Sequence, residues 1–183
     1  MFDSLTIIQL GKEKKMKTKP SAKSNFFDIV NNAIRIGPLK KSFDPNEFFN
    51  GMFTINPWMG DVFERSIFKE AKIITKSKIT SLKSVDLKKS ATDNEIIKTM
   101  KIIPFKINDI LWVIAELMDT SELRKGKRHA NLFYIKKAKD IFVIHLLWWE
   151  GGRRIFCWRF GCHGLFWPTF WPKGSTRVFL FAN

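Results

Sequence analysis

Residues 141–160 read IFVIHLLWWEGGRRIFCWRF, and this stretch decides the fold class. Two apolar runs, Ile141 to Trp149 and Arg154 to Phe160, are joined by Glu150, Gly151, Gly152 and Arg153. β-Branched and aromatic side chains favour a pleated, half-buried strand, and paired glycines supply the positive φ of a primed hairpin turn. The spacing therefore predicts an antiparallel hairpin. With Gly151 and Gly152 as its two-residue turn, period-two alternation puts Val143, His145, Leu147 and Trp149 on one face, opposite Arg154, Phe156, Trp158 and Phe160. The other face carries Phe142, Ile144, Leu146 and Trp148 against Ile155, Cys157 and Arg159. Both faces are largely apolar, so one packs on a helix and the other needs either a second cover or a partner.

Working outward, Asn131 to Ile135 and Thr176 to Phe181 have strand composition. Together with the hairpin they predict a C-terminal antiparallel β-meander. Between its last two strands, Gly161, Gly164, Pro168, Pro172 and Gly174 exclude a central strand. Upstream, Ile110, Leu111, Ile114, Leu117 and Met118 fall on one stripe of a helix over Asn108 to Asp119, which covers one face of the sheet. Ahead of it, Thr92, Asp93, Asn94 and Glu95 form a capping box that launches a helix through Ile96, Ile97 and Met100. Pro104 holds Ile102, Ile103 and Phe105 in an extended connector.

Nearer the N-terminus, Phe26, Phe27, Val30 and Ile34 recur at helical spacing between Ser24, a good N-cap, and the stop Gly37-Pro38. This amphipathic helix is the candidate cover for the second face. Asp44, Pro45 and Glu47 predict a short helix carrying Phe48 and Phe49, with Gly51 as its exit. Pro57 and Gly60 make a loop of Asn56 to Asp61, and Ala71 to Leu82, with Ile and Thr interleaved with Lys, reads as extended structure. Residues 1–24 form a flexible basic tail in which six lysines repel one another, and Met16 inside it is an alternative start. The expected organisation is that tail followed by one α+β domain over 25–183: a helical and extended subregion at 25–90, then a helix pair and terminal sheet at 91–183.

A chain of 183 residues with 45% apolar composition can bury a full core. Its net charge of +15 attracts polyanions such as nucleic acid or an anionic surface, although a lysine-rich composition also follows from an AT-rich coding sequence. No apolar run reaches the roughly 20 residues of a spanning helix. The basic run follows the apolar piece Leu5 to Leu10, the reverse of a secretory signal, and two cysteines make no disulfide scaffold, so a cytoplasmic location is expected.

Little chemistry is encoded. Cys157, Cys162, His163 and His145 are the one cluster of soft ligands, but the spacing is not that of a structural zinc site, and a cysteine near a histidine is only the first condition for a nucleophile. Asp140 and Glu150 stand at strand ends, too isolated for paired acid and base work. No P-loop, dinucleotide fingerprint or nucleophile elbow occurs, so no metal, cofactor or catalytic residue is expected. Phe43 to Phe48, Trp148 to Arg154 and Trp167 to Lys173 carry no recognised family signature. What remains is arginine interleaved with aromatics. Trp149, Arg153, Arg154, Trp158, Arg159, Lys173 and Arg177 are the candidate ligand-binding residues, on a sheet face that could stack single-stranded nucleic acid. The expected function is non-catalytic binding of nucleic acid or another polyanion, with an aromatic patch for a protein partner as the alternative.

Overall fold

The computed structural model describes residues 26–49, 71–76, 80–126, 129–150, 156–165 and 169–182. In chain order the strands are β1 (Phe27–Ile36), β2 (Thr80–Leu87), β3 (Ala91–Thr92), β4 (Phe105–Lys106), β5 (Ala130–Lys137), β6 (Asp140–Glu150), β7 (Phe156–Gly164), β8 (Phe170–Trp171) and β9 (Thr176–Phe181). The helices are α1 (Pro45–Phe48), α2 (Asp93–Met100) and α3 (Ile107–Met118). The protein is thus α+β, built on a large sheet of order β1-β2-β9-β5-β6-β7, with β4 extending the side of β5 and with β3 and β8 forming a separate pair. The basic tail and the loop at 56–61 lie outside the described residues.

The hairpin arms β6 and β7 pair antiparallel as expected, but Glu150 stands opposite Phe156, where a two-residue turn would have set it opposite Arg153. Gly151 to Ile155 lie outside the described residues. The offset is odd, and an odd shift exchanges the faces of one arm relative to the other. Cys162 therefore pairs with Ile144 and is buried with it, while His163 pairs with Val143. β7 also runs on through Gly161 and Gly164, which the glycine rule had placed outside any central strand. It is an edge strand, where the rule is relaxed.

The terminal strands are not an antiparallel meander. β9 pairs parallel with β5 from Ala130↔Thr176 to Phe133↔Phe179, and antiparallel with β2 on its other side. It lies between β2 and β5, so the sheet is mixed and its N-terminal strands share it with the C-terminal ones. The segment expected to be a helix at 26–34 is strand β1. Its register with β2 slips twice, between Ile29 and Asn31 and between Asn31 and Ile34. Each bulge inserts a residue and breaks period-two alternation, which is how a strand came to show helix-like spacing.

One face of the sheet is covered by α3. Leu82, Phe133, Ile135, Ile144, Leu146 and Phe179 meet Ile110, Leu111, Ile114 and Leu117 in one cluster. Trp112, Val113 and Ala115, on the far side of the helix, are buried too, because Phe49, Ala71 and the partly buried Leu39, Phe43 and Ile74 pack in the same cluster. Asp44 caps α1 through Asn46 N at 2.9 Å and Glu47 N at 3.4 Å, and Phe43 and Ile74 form an isolated antiparallel bridge. Only a narrow stripe with Asp109 and Glu116 stays exposed, so α3 is buried over most of its circumference.

The second face, Val85, Leu87, Leu132, Tyr134, Val143, Val178 and Leu180, is covered by Ala91, Ile96 and Trp171, with Ile97, Met100 and Ile102 around them. Its cover is therefore α2 with the β3–β8 pair. Burying each large apolar side chain contributes about 1.5–3 kcal/mol, and both faces have that contribution. The central face of the sheet is not open for stacking.

Candidate functional site

Two constellations carry polar chemistry. The first begins at the start of α2. Thr92 caps the helix: its Oγ1 accepts from Glu95 N at 3.4 Å, and Glu95 Oε2 accepts from Thr92 N at 2.8 Å and Oγ1 at 2.9 Å. These bonds hold the Glu95 carboxyl below its usual range. With the cap supplied by Thr92, Asp93 is free to turn inward. It is 2% exposed and is the only charged side chain among the fully buried described residues.

Asp93 Oδ1 accepts from Tyr134 Oη at 2.8 Å and from Trp171 Nε1 at 2.7 Å. Oδ2 lies 3.0 Å from His163 Nε2. A carboxylate only accepts, so His163 carries a proton on Nε2. The helix N-terminus adds a favourable field, and three donors offset the cost of burying the charge. Burial, then the neighbouring Asp93 carboxylate, push the Tyr134 phenol far up. One residue each from β5, β7 and β8 thus converges on a single side chain of α2.

His145 completes the group without joining it. Its ring lies 5.5 Å from that of His163 and 5.6 Å from that of Trp171. Its Nδ1 is enclosed with no hydrogen-bond partner. Burial, followed by repulsion from His163, pushes its pKa down to about 4, against an opposing pull from Asp93. Cys162 is buried on the opposite face of β7, so the expected grouping of Cys162 with His163 and His145 is not formed. No group of three metal-ligating side chains occurs among the described residues.

The second constellation lies at one end of the sheet, where the register brings together Leu87, Thr176, Ala130 and Leu147. Arg177 donates through Nε and Nη2 to the two oxygens of Asp86 at 2.8 and 3.2 Å, and through Nη1 to Glu122 O at 2.8 Å. Arg124 Nη1 donates to Gly174 O at 2.6 Å and lies 3.5 Å from Asp86 Oδ2. Buried Asn131 fixes that loop by accepting from Arg124 N at 2.9 Å and donating to its carbonyl at 3.1 Å. Two guanidiniums thus share one carboxylate and keep a surplus positive charge. With Lys125, His129 and Asp119 they line a cleft of about 680 Å³. The ammonium of Lys125 sits 4.9 Å above the Trp148 ring.

The expected binding residues divide. Arg177 lines the cleft, and Lys173 is exposed on the adjoining turn, its N–H donating to Ser90 Oγ at 3.0 Å. Trp149, Trp158 and Arg159 are placed by backbone register alone, opposite Cys157, Trp148 and Leu147. Arg153 and Arg154 lie outside the described residues. Sequence reasoning missed Arg124, Lys125 and His129, whose signal was the run of basic residues Arg124, Lys125, Lys127 and Arg128 next to His129, and it missed Asp93, whose position in a capping box concealed its inward turn. Compared with known protein families, curated proteins and solved structures, the chain matches none. No helix among the described residues is long and apolar enough to cross a membrane.

Proposed function

We propose that the protein is a non-catalytic binding module for a polyanion, with single-stranded nucleic acid as the ligand that fits its chemistry. The observation that carries this reading is where the arginines fall. Lysine enrichment has a compositional explanation, whereas arginine is the residue suited to forked recognition of phosphate. Among the described residues, Arg124, Arg159 and Arg177 come to the same end of the sheet, and in the sequence Arg128, Arg153 and Arg154 stand close to them along the chain. Trp148, with the Lys125 ammonium over its ring, supplies an aromatic group beside them, and exposed Phe170 lies on the strand leading into the Lys173 turn. The carbonyl end of α3 also points here and opposes an anion by about 0.3–1 kcal/mol, a screened term that a few phosphate contacts outweigh.

The reading is tested by titrating fluorescent single-stranded oligonucleotides against the protein at several salt concentrations. Saturable binding that weakens steeply with salt is expected, since on a single strand each phosphate contact adds about 0.7 to the magnitude of the slope of log K against log salt. The double variant Arg153→Gln/Arg154→Gln lowers that magnitude by about 1.4. Failure to bind at low salt discards the polyanion and leaves the protein-partner reading, with Phe170 as its aromatic contact.

A further inference from the structure

The unit formed by β3, α2 and β8 is a cap, joined to the second face of the sheet by apolar contact and by one buried charge. That charge, Asp93, is bonded to Tyr134, His163 and Trp171, and beside them lies the His145 ring, whose Nδ1 is enclosed without a hydrogen-bond partner. The His145 side chain is half-buried, with its Nδ1 enclosed. A Cβ added to Gly161 would lie 2.2 Å from its Nε2, so the imidazole rests against the β7 backbone on one side and faces the cap on the other. An enclosed Nδ1 without a partner costs little while it is a bare lone pair and much once it must carry an unbonded N–H and a charge.

We propose that this cluster is an acid-operated latch, in which a proton on His145 frees the β3–α2–β8 cap from the sheet while the α3 face stays packed. The titratable groups that act on His145 are His163 from β7 and Asp93 from α2, the latter also bonded to Tyr134 from β5, and β8 contributes the non-titrating Trp171. His163 already occupies Oδ2 of Asp93, so an imidazolium at His145 gains only a more distant carboxylate and has the His163 ring as its neighbour. Opening the cap brings His145 into water, where it is protonated at no penalty.

The sign follows from the direction of the shift. The folded pKa of His145 is depressed to about 4, below the unfolded value near 6.5. The closed cap is therefore fully favoured above about pH 6.5 and loses close to tenfold for each unit below it, until the folded pKa is reached.

The inference is independent of any ligand and is tested on the full chain by hydrogen exchange, with rates expressed as protection factors to remove the intrinsic effect of pH. Between pH 7 and 4.5, protection of the α2 amides is expected to fall about 60-fold, from the linkage between the two pKa values. Amides of α3 and of the β5–β9 ladder should change less than about threefold over the same range. His145→Gln, which does not titrate, should abolish the difference. A loss of protection that is uniform between α2 and α3, or one that survives in His145→Gln, overturns the latch. If that variant does not fold, the comparison of α2 with α3 in the wild-type chain still decides.

Discussion

Gly161 stands opposite His145 across the β6–β7 ladder, and the imidazole occupies the space a side chain there would take. A glycine in a strand is thus explained by the ring it admits. Gly161→Ala should be destabilising by about 1–3 kcal/mol, the usual cost of overpacking. Urea unfolding checks this, and a variant within 0.5 kcal/mol of wild type would show that His145 can move aside.

Asp93 is the acceptor for three donors on three strands. Asp93→Ala leaves Tyr134 and Trp171 as buried donors without partners, and breaking a buried network of this kind costs about 3–5 kcal/mol. Asp93→Asn keeps an oxygen for both donors and should lose markedly less. Equal losses in the two variants, read from denaturant midpoints, would mean that shape rather than acceptance decides.

Tyr134 is the only tyrosine of the chain, so phenolate absorbance reports it alone. Its pKa is raised in the folded state; the resulting stability is therefore present below the unfolded value near 10 and is lost as pH rises above it. The expected alkaline titration shows no phenolate until the chain unfolds, with both signals moving together. A phenolate forming near pH 10 in a folded chain contradicts the buried bond to Asp93.

Thr92 holds the start of α2 by a reciprocal cap. Thr92→Ala should cost about 1 kcal/mol in stability. Protection of the α2 amides should fall by more than that of α3. A loss spread evenly over the chain would mean that α2 does not open as a separate unit.

What was legible in the sequence was local. The capping box at Thr92 and Glu95, the Pro45 helix and the apolar stripe of α3 are written in neighbouring residues, and the structure has all three. What was not legible depends on partners far along the chain. The bulges of β1 produced helical spacing, because each extra residue displaced the alternation that marks a strand. The Gly151-Gly152 pair pointed to the tightest turn, yet the register follows which residues are buried, and only Glu150↔Phe156 pairing puts Cys162 beside Ile144 in the core. The buried polar cluster drew on residues 93, 134, 145, 163 and 171. No spacing rule joins them, since five separate elements deliver them.

The placement of β9 between β2 and β5 also sets an order of assembly. Of the described strands, β9 is the last to be synthesised, yet it alone bridges the β1–β2 pair to β5, so the early strands wait with an unpaired edge through the synthesis of everything between. Pairings of such long sequence separation fold slowly and leave edges open to wrong partners meanwhile. A nascent chain arrested before Thr176 should therefore hold two disconnected half-sheets that bind chaperones, and it should close into one sheet only when the residues of β9 emerge.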